Sequence, residues 1–266
     1  MSDTYTHGHH ESVLRSHRWR TAQNSAAYLL EHLRSGDQLL DVGCGPATIT
    51  CDLGRLVAPG TVTGLENTPE PLRVAQQTAE EFGLDNVEFQ RGDVYEIPFA
   101  DDAFDVVHAH QVVQHLTDPV AALREMRRVC RPGGIVAVRD ADYGAMRWFP
   151  DNPGLDRWLE LYSAVAKGNG AYPDGGRRLR AWAVEAGFTD ITATASAWCY
   201  TTDEERNWWG GLWADRVRSS AFAAQAVDRG LATRDHLEEL AAAWRRWTED
   251  PDGWFAVLNG EILCRP

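Results

Sequence analysis

Ten consecutive residues, Leu39-Leu40-Asp41-Val42-Gly43-Cys44-Gly45-Pro46-Ala47-Thr48, carry the clearest chemical signal in the chain. An apolar strand runs straight into a tight glycine turn, and the turn opens a helix. Gly43 and Gly45 admit backbone conformations closed to other residues and let a ligand approach the main chain. Pro46 suits a first helical position. Strand–turn–helix junctions of this kind are where open α/β sheets hold nucleotide-like ligands. A second strand, residues 61–66, ends in Glu66, whose carboxylate can accept both hydroxyl protons of a ribose.

The elements that must position these residues follow from periodicity and turn chemistry. Residues 25–33 have helical spacing and stop at Ser35-Gly36, so 1–35 is expected as an amino-terminal helical segment. From residue 36 strands and helices alternate, which predicts a parallel sheet with helices on both faces. Further strands are expected at 87–90, 104–110 and 135–138, with a helix over 118–126 and the turn Arg131-Pro132-Gly133-Gly134 before the fifth strand. A loop over 139–150, rich in polar and aromatic groups, follows. Helices are expected near 155–165 and 176–186, a sixth strand at 191–198, and a last strand at 254–258 that continues at 261–264. Residues 203–250 are too many for a structureless loop in a compact domain. They read as a helical insertion, a substrate lid over the carboxyl ends of the strands, leaving a core of 36–202 and 251–266.

Taken in order, the glycine turn, Glu66, Gly92-Asp93 and Arg131-Pro132-Gly133-Gly134 resemble the class I S-adenosylmethionine (SAM)-dependent methyltransferases. Within that class the chain is similar to the ubiquinone/menaquinone-biosynthesis type and related small-molecule enzymes, over residues 36–140. The resemblance implies an α/β, Rossmann-like, seven-stranded, mostly parallel sheet flanked by helices, with the last strand antiparallel. It implies SAM as cofactor and S-adenosylhomocysteine (SAH) as product. By the same match Asp41, Gly43, Cys44 and Gly45 shape the turn beneath the amino-acid end of the cofactor. Glu66 takes the ribose with Asn67 beside it, and Asp93 accepts from the adenine amino group with Val94 alongside. His110 and Gln111 meet the methionine part. Tyr5 is expected near the sulfonium, in a cover continued by His17, Arg18 and Trp19. Ala47 stands where the family often has a third glycine, and a slightly shifted turn is expected there.

Other residues admit two readings. His115 either touches the cofactor or caps local structure. His108 alternates with His110 and faces the other side of the sheet, where a packed histidine is expected. Thr6-His7-Gly8-His9-His10 offers imidazoles but no carboxylate or cysteine at ligand spacing, so no metal is expected. Methyl transfer chiefly needs the acceptor held in line and water kept out. Where a proton must also leave, His110, His115 or Asp142 is the expected base. Asp140, Asp142 and Tyr143 follow the fifth strand and are expected to bind the acceptor or remove its proton, although aspartates also favour turns. Trp209 and Trp213 share a helical face. They read either as core or as the lining of an acceptor pocket, whose ring faces attract cations. Asp215 and Arg216, on the same stretch, are expected to pair with substrate charge.

The balance of the chain sets its class. At 266 residues and 44% hydrophobic, it suffices for one large domain or a core with an addition. A net charge of −13 opposes binding to phosphate backbones, so nucleic acid is not an expected substrate. No apolar run is long enough to span a bilayer, and no signal-peptide pattern is present. A cytoplasmic protein is therefore expected. The five cysteines are scattered, odd in number and without metal-ligand spacing, as in a chain of reduced thiols. The expected function is methyl transfer to a small-molecule acceptor by a monomer or homodimer. One alternative is an NAD(P)-dependent oxidoreductase, which Thr48 opposes because the dinucleotide fingerprint wants glycine there. The other is a non-catalytic SAM-binding protein.

Overall fold

The computed structural model describes residues 3–8 and 11–266; His9 and His10 of the histidine run lie outside the described residues. The helices are α1 (Glu11–Arg18), α2 (Ala22–Ser25), α3 (Ala27–Leu30), α4 (Thr48–Val57), α5 (Pro69–Phe82), α6 (Pro119–Val129), α7 (Pro153–Gly168), α8 (Leu179–Glu185), α9 (Asp203–Ser219), α10 (Ala221–Asp228) and α11 (Arg234–Glu249). The strands are β1 (Leu39–Val42), β2 (Val62–Glu66), β3 (Val87–Arg91), β4 (Phe104–His110), β5 (Cys130–Ala141), β6 (Arg147–Phe149), β7 (Asp190–Tyr200) and β8 (Trp254–Arg265). The chain forms two compact units. The sheet unit is His17–Asp140, Gly175–Ser196 and Asn259–Pro266; the aromatic unit is the described residues up to Ser16, Ala141–Asp174 and Ala197–Leu258.

In the sheet unit β1 pairs in parallel with β2 and with β4, β2 with β3, and β4 with β5. The strand order is β3-β2-β1-β4-β5-β8, and β7 pairs with β8. Neighbouring residues of one strand serve opposite faces, as the period of two requires. Leu40, Val107 and Val136 join Leu123, Met126 and Leu179 in one buried cluster. Leu39, Val106 and Ile135 join Leu29, Ile49, Leu53 and Val57 in another. Burial on both faces is why these strands read as continuous apolar runs rather than alternating ones.

Local signals place the helix ends. Thr68 precedes Pro69 at the start of α5, and Gly83 ends it in the left-handed region at φ 65°. The Asp118 carboxylate accepts from the Ala121 amide at the start of α6. Buried Arg139 on β5 donates to Glu261 on β8 (3.1 Å) and to Ser196 on β7 (3.2 Å). Thr194 donates to the other Glu261 oxygen (2.9 Å). Both Glu261 oxygens and the Nε and Nη2 of Arg139 are therefore engaged, which helps a charged pair to be tolerated inside.

The aromatic unit is held by α7, α9 and α11. Trp158 of α7 lies edge-on to Trp213 of α9 at 4.5 Å and to Trp244 of α11 at 4.8 Å. Asn152 caps α7, a Thr202/Glu205 capping box starts α9, and Thr233 caps α11.

Three expectations change. Among the described residues the sheet strands number eight rather than seven, because residues 147–149 of the expected loop form β6 and pair antiparallel with 254–256 of β8. Residues 203–250 are helical, but their contacts group them with 141–174, whose Trp158 and Tyr162 bury against the same rings. The expected helix over 25–33 breaks at Ala26 (φ −135°) into α2 and α3. A Thr21/Asn24 capping box starts α2, which ends after a single turn.

Candidate active site

The glycine turn sits at the carboxyl end of β1. Gly43 and Gly45 have φ of 68° and 54°. A Cβ on Gly43 would lie 2.4 Å from Val112 Cγ2, so only glycine fits. Ala47 also takes the left-handed conformation, φ 64°. That conformation strains a residue carrying a Cβ, as it would not strain a third glycine. Cys44 is buried and packs near Gly64, and burial raises its thiol well above the ordinary value.

Glu66 turns toward this loop. Its Oε1 accepts from the Gly45 amide at 2.8 Å. Burial pushes its carboxyl up to about 7, against the opposing hydrogen bonds from the Gly45 and Asn67 amides. Asn67 itself is exposed and its carbonyl accepts from Arg91 Nε. Asp93 is exposed after β3, with Oδ1 accepting from the Tyr95 amide at 3.0 Å. Val94 packs partly buried beside it.

Asp41 requires a correction. Expected in the cofactor's turn, it is buried with both oxygens engaged inside the protein. His108 Nδ1 lies 2.7 Å from Oδ1, and the Thr50 hydroxyl donates to Oδ2 at 2.6 Å. It joins β1, β4 and α4 beneath the turn. His108, fully buried on this pair, has the packed role its alternation predicted.

At the carboxyl ends of β4 and β5 lies a second group. Gln111 has φ 54°, unusual for a side-chain-bearing residue. Its amide donates to the Arg139 carbonyl (2.7 Å), and its side chain accepts from Arg20 Nη2 (2.6 Å). His110 and His115 are buried, and burial lowers both below the ordinary imidazole value, His115 to about 3. Arg20 adds to each shift. Both rings therefore stay neutral near pH 7 and make poor bases. His115 Nε2 lies 3.1 Å from Gln114 Nε2.

Asp140 is fully buried, with Oδ2 accepting the Gln114 amide at 2.9 Å. Burial pushes its carboxyl up to about 7, opposed first by that bond and then by one from the Val112 amide.

The remaining candidates lie in the aromatic unit. Asp142 accepts from the Ala145 amide (3.2 Å) and caps a short 3-10 turn, the turn chemistry open to any aspartate. Tyr143 is buried, stacks on Tyr162 at 4.1 Å, and its hydroxyl lies 3.3 Å from His7 Nε2. Tyr162 also reaches that nitrogen, at 3.0 Å. Tyr5 lies edge-on to His7 at 5.7 Å. Trp209 stacks on Tyr200 (4.6 Å), and Trp213 is fully buried. Arg216 is buried over the Trp213 ring at 4.5 Å and donates to Ser16. Asp215 pairs on the surface with Arg15.

Sequence reasoning passed over Arg20, Gln114 and Tyr162, and read His7 only as one imidazole of the amino-terminal run. The positions of Arg20 and His7 depend on contacts more than ninety residues away in sequence. Among the described residues no cluster of His, Cys, Asp or Glu has the make-up of a metal site. Nor is any described helix long and apolar enough to cross a membrane.

Comparison with known proteins gives the class. The Methyltransferase domain family matches residues 33–198. An uncharacterized methyltransferase of Schizosaccharomyces pombe is 36% identical over 272 residues, covering 98% of this chain and 96% of its own. A ubiquinone/menaquinone biosynthesis C-methyltransferase of Bdellovibrio bacteriovorus is 40% identical over 105 residues, 40% of this chain and 44% of its own. The structure of Haemonchus contortus phosphoethanolamine N-methyltransferase 2, with phosphomonomethylethanolamine and SAH, has a TM-score of 0.56 at 18% identity. It covers 92% of this chain and 53% of its own, and likeness at that identity concerns the fold. The chain belongs to the methyltransferase-domain family, and its sheet has the SAM-dependent methyltransferase fold. The NAD(P)-dependent alternative finds no support in these matches.

Proposed function

We propose that the protein transfers the methyl group of SAM to a small-molecule acceptor by in-line displacement and releases SAH. The observation that carries this reading is the Gly43–Gly45 turn with the Glu66 carboxylate held on the Gly45 amide. The residues fit SAM. Gly43 and Gly45 hold the left-handed conformations that make the turn tight, with Val112 packed where a Gly43 Cβ would stand, and carboxylates follow two successive strands at Glu66 and Asp93. When bound, the cofactor supplies an electrophilic methyl on a sulfonium.

Glu66 binds the ribose hydroxyls, with Asn67 beside it, and Asp93 with Val94 receives the adenine. Gly43, Cys44 and Gly45 form the floor, and Asp41 braces it from below. His110, Gln111 and His115 line the end of β4 as neutral hydrogen-bonding groups. Strain at Gln111 accords with this, since sparsely populated conformations gather at functional sites. In the aromatic unit, Tyr5, Asp142, Tyr143, Trp209, Trp213 and Arg216 are proposed on the acceptor and methyl-group side. The acceptor is a small molecule rather than nucleic acid, no metal takes part, and the enzyme works in the cytoplasm as a monomer or homodimer.

Calorimetric titration with SAH, and with NAD in parallel, tests this. Micromolar binding of SAH alone, about 8 kcal/mol, is the expected result, weakened at least about tenfold by Asp93→Ala. Absence of SAH binding to the folded protein overturns the proposal.

A further inference from the structure

Asp140 and Gln114 carry more than a local hydrogen bond. Asp140 is fully buried at the end of β5; its Oδ2 accepts from the Gln114 amide, and the Val112 amide also favours the charged carboxylate. Its Oδ1 is buried without a partner. The Gln114 side chain, 2% exposed, is in the same condition: its Nε2 faces His115, and its Oε1 is buried without a partner. Whichever way the amide is turned, one of its polar atoms is left over.

Holding the 112–115 turn requires one oxygen, which asparagine would supply. A buried carboxylate with an idle second oxygen costs desolvation energy that nothing in the fold recovers. Two such atoms on bonded residues, at the carboxyl ends of strands, mark a place completed by a ligand.

The chemistry of that ligand is constrained. Above about pH 7, where Asp140 is ionised, the ligand must donate to Oδ1, which excludes ethers and bare carbonyls. It must suit either face of the Gln114 amide, which a hydroxyl does because it both donates and accepts. An ammonium is disfavoured, since the guanidinium of Arg139 already acts on Asp140 and that of Arg20 on neighbouring His115.

We infer that Asp140 and Gln114 form the docking site for a neutral hydroxyl group of the methyl acceptor, with Asp140 taking its proton. This rests on the methyltransferase reading. In the transfer the acceptor oxygen gains the methyl and loses its proton to Asp140 Oδ1. The sulfur–methyl bond breaks with its electron pair left on sulfur, and Asp140 returns the proton to water. Burial, which holds the free carboxyl near 7, suits it to that exchange.

Ligand-observed NMR on the full chain saturated with SAH, using phenol, anisole and benzylammonium as probes, tests the site. Phenol is expected to bind about tenfold or more tightly than either other probe. Asp140→Asn should bring phenol and anisole to within about twofold, because the amide then presents a donor. Gln114→Met, which leaves Asp140 in place, should narrow the same gap and serves if Asp140→Asn does not fold. Equal binding of phenol and anisole, no saturable phenol binding, preference for benzylammonium, or an unchanged preference in folded variants each overturns the inference. SAH affinity, read in the same samples, separates the two ideas. Intact SAH binding without phenol preference overturns this site alone, and loss of SAH binding by the unaltered protein overturns the methyltransferase reading.

Discussion

Glu66 shows how one side chain couples cofactor affinity to stability. Its folded-state carboxyl sits at about 7 against an ordinary 4.5, because burial penalises the charge. If the ionised form accepts the ribose hydroxyls, SAH affinity should fall about tenfold between pH 8 and pH 6, as the carboxylate takes up a proton. Glu66→Gln should weaken SAH binding at pH 8 and flatten that pH dependence in calorimetry. A raised acid opposes folding as pH climbs from its unfolded value to its folded one. Glu66→Gln should therefore raise the melting temperature of the ligand-free protein at pH 8 and leave it nearly unchanged at pH 5. Asp41 acts differently, since both its oxygens bond buried partners. Asp41→Ala strands His108 and should cost about 3 kcal/mol in denaturant unfolding, with a loss of SAH affinity that follows from the disturbed turn.

At the scale of elements, the junction of β1 and α4 stores strain. Ala47 holds φ 64° at the start of α4 while fully buried. Ala47→Gly removes the clash of Cβ with the following carbonyl and should stabilise the protein by about 1 kcal/mol in chemical denaturation. The packing of α7, α9 and α11 rests on rings rather than aliphatic ridges. Trp158 touches Trp213, Trp244, Tyr162 and Phe255 within 6.4 Å. Trp158→Ala should cost about 3 to 5 kcal/mol, read as a lowered denaturant midpoint.

The molecule as a whole is acidic, at −13. Nonspecific attraction to duplex DNA depends on neutralising phosphates with lysine and arginine. The protein should show no band shift with random duplex DNA at about 50 mM salt, up to roughly 10⁻⁴ M protein. A shift abolished by added salt would reveal a basic face that net charge conceals.

Periodicity and turn chemistry made the strands, their parallel pairing and the glycine turn legible from residues alone, because these depend on neighbours a few positions apart. Glu66 and Gly92-Asp93 fell at the expected strand ends for the same reason. Arg131-Pro132-Gly133-Gly134, expected as a turn before the fifth strand, instead lies within β5, where the pairing with β4 shifts register. What tertiary structure alone decided is which polar groups are buried and what answers them. Asp41 looked like a ligand contact and is a brace, because His108 and Thr50 reach it from β4 and α4. Asp142 caps a turn, while Asp140, two residues earlier, is left with a buried oxygen unanswered. β6 escaped notice because three residues carry no period, and their pairing is supplied by a strand a hundred residues away. Burial and long-range hydrogen bonding belong to the folded chain, and no local spacing encodes them.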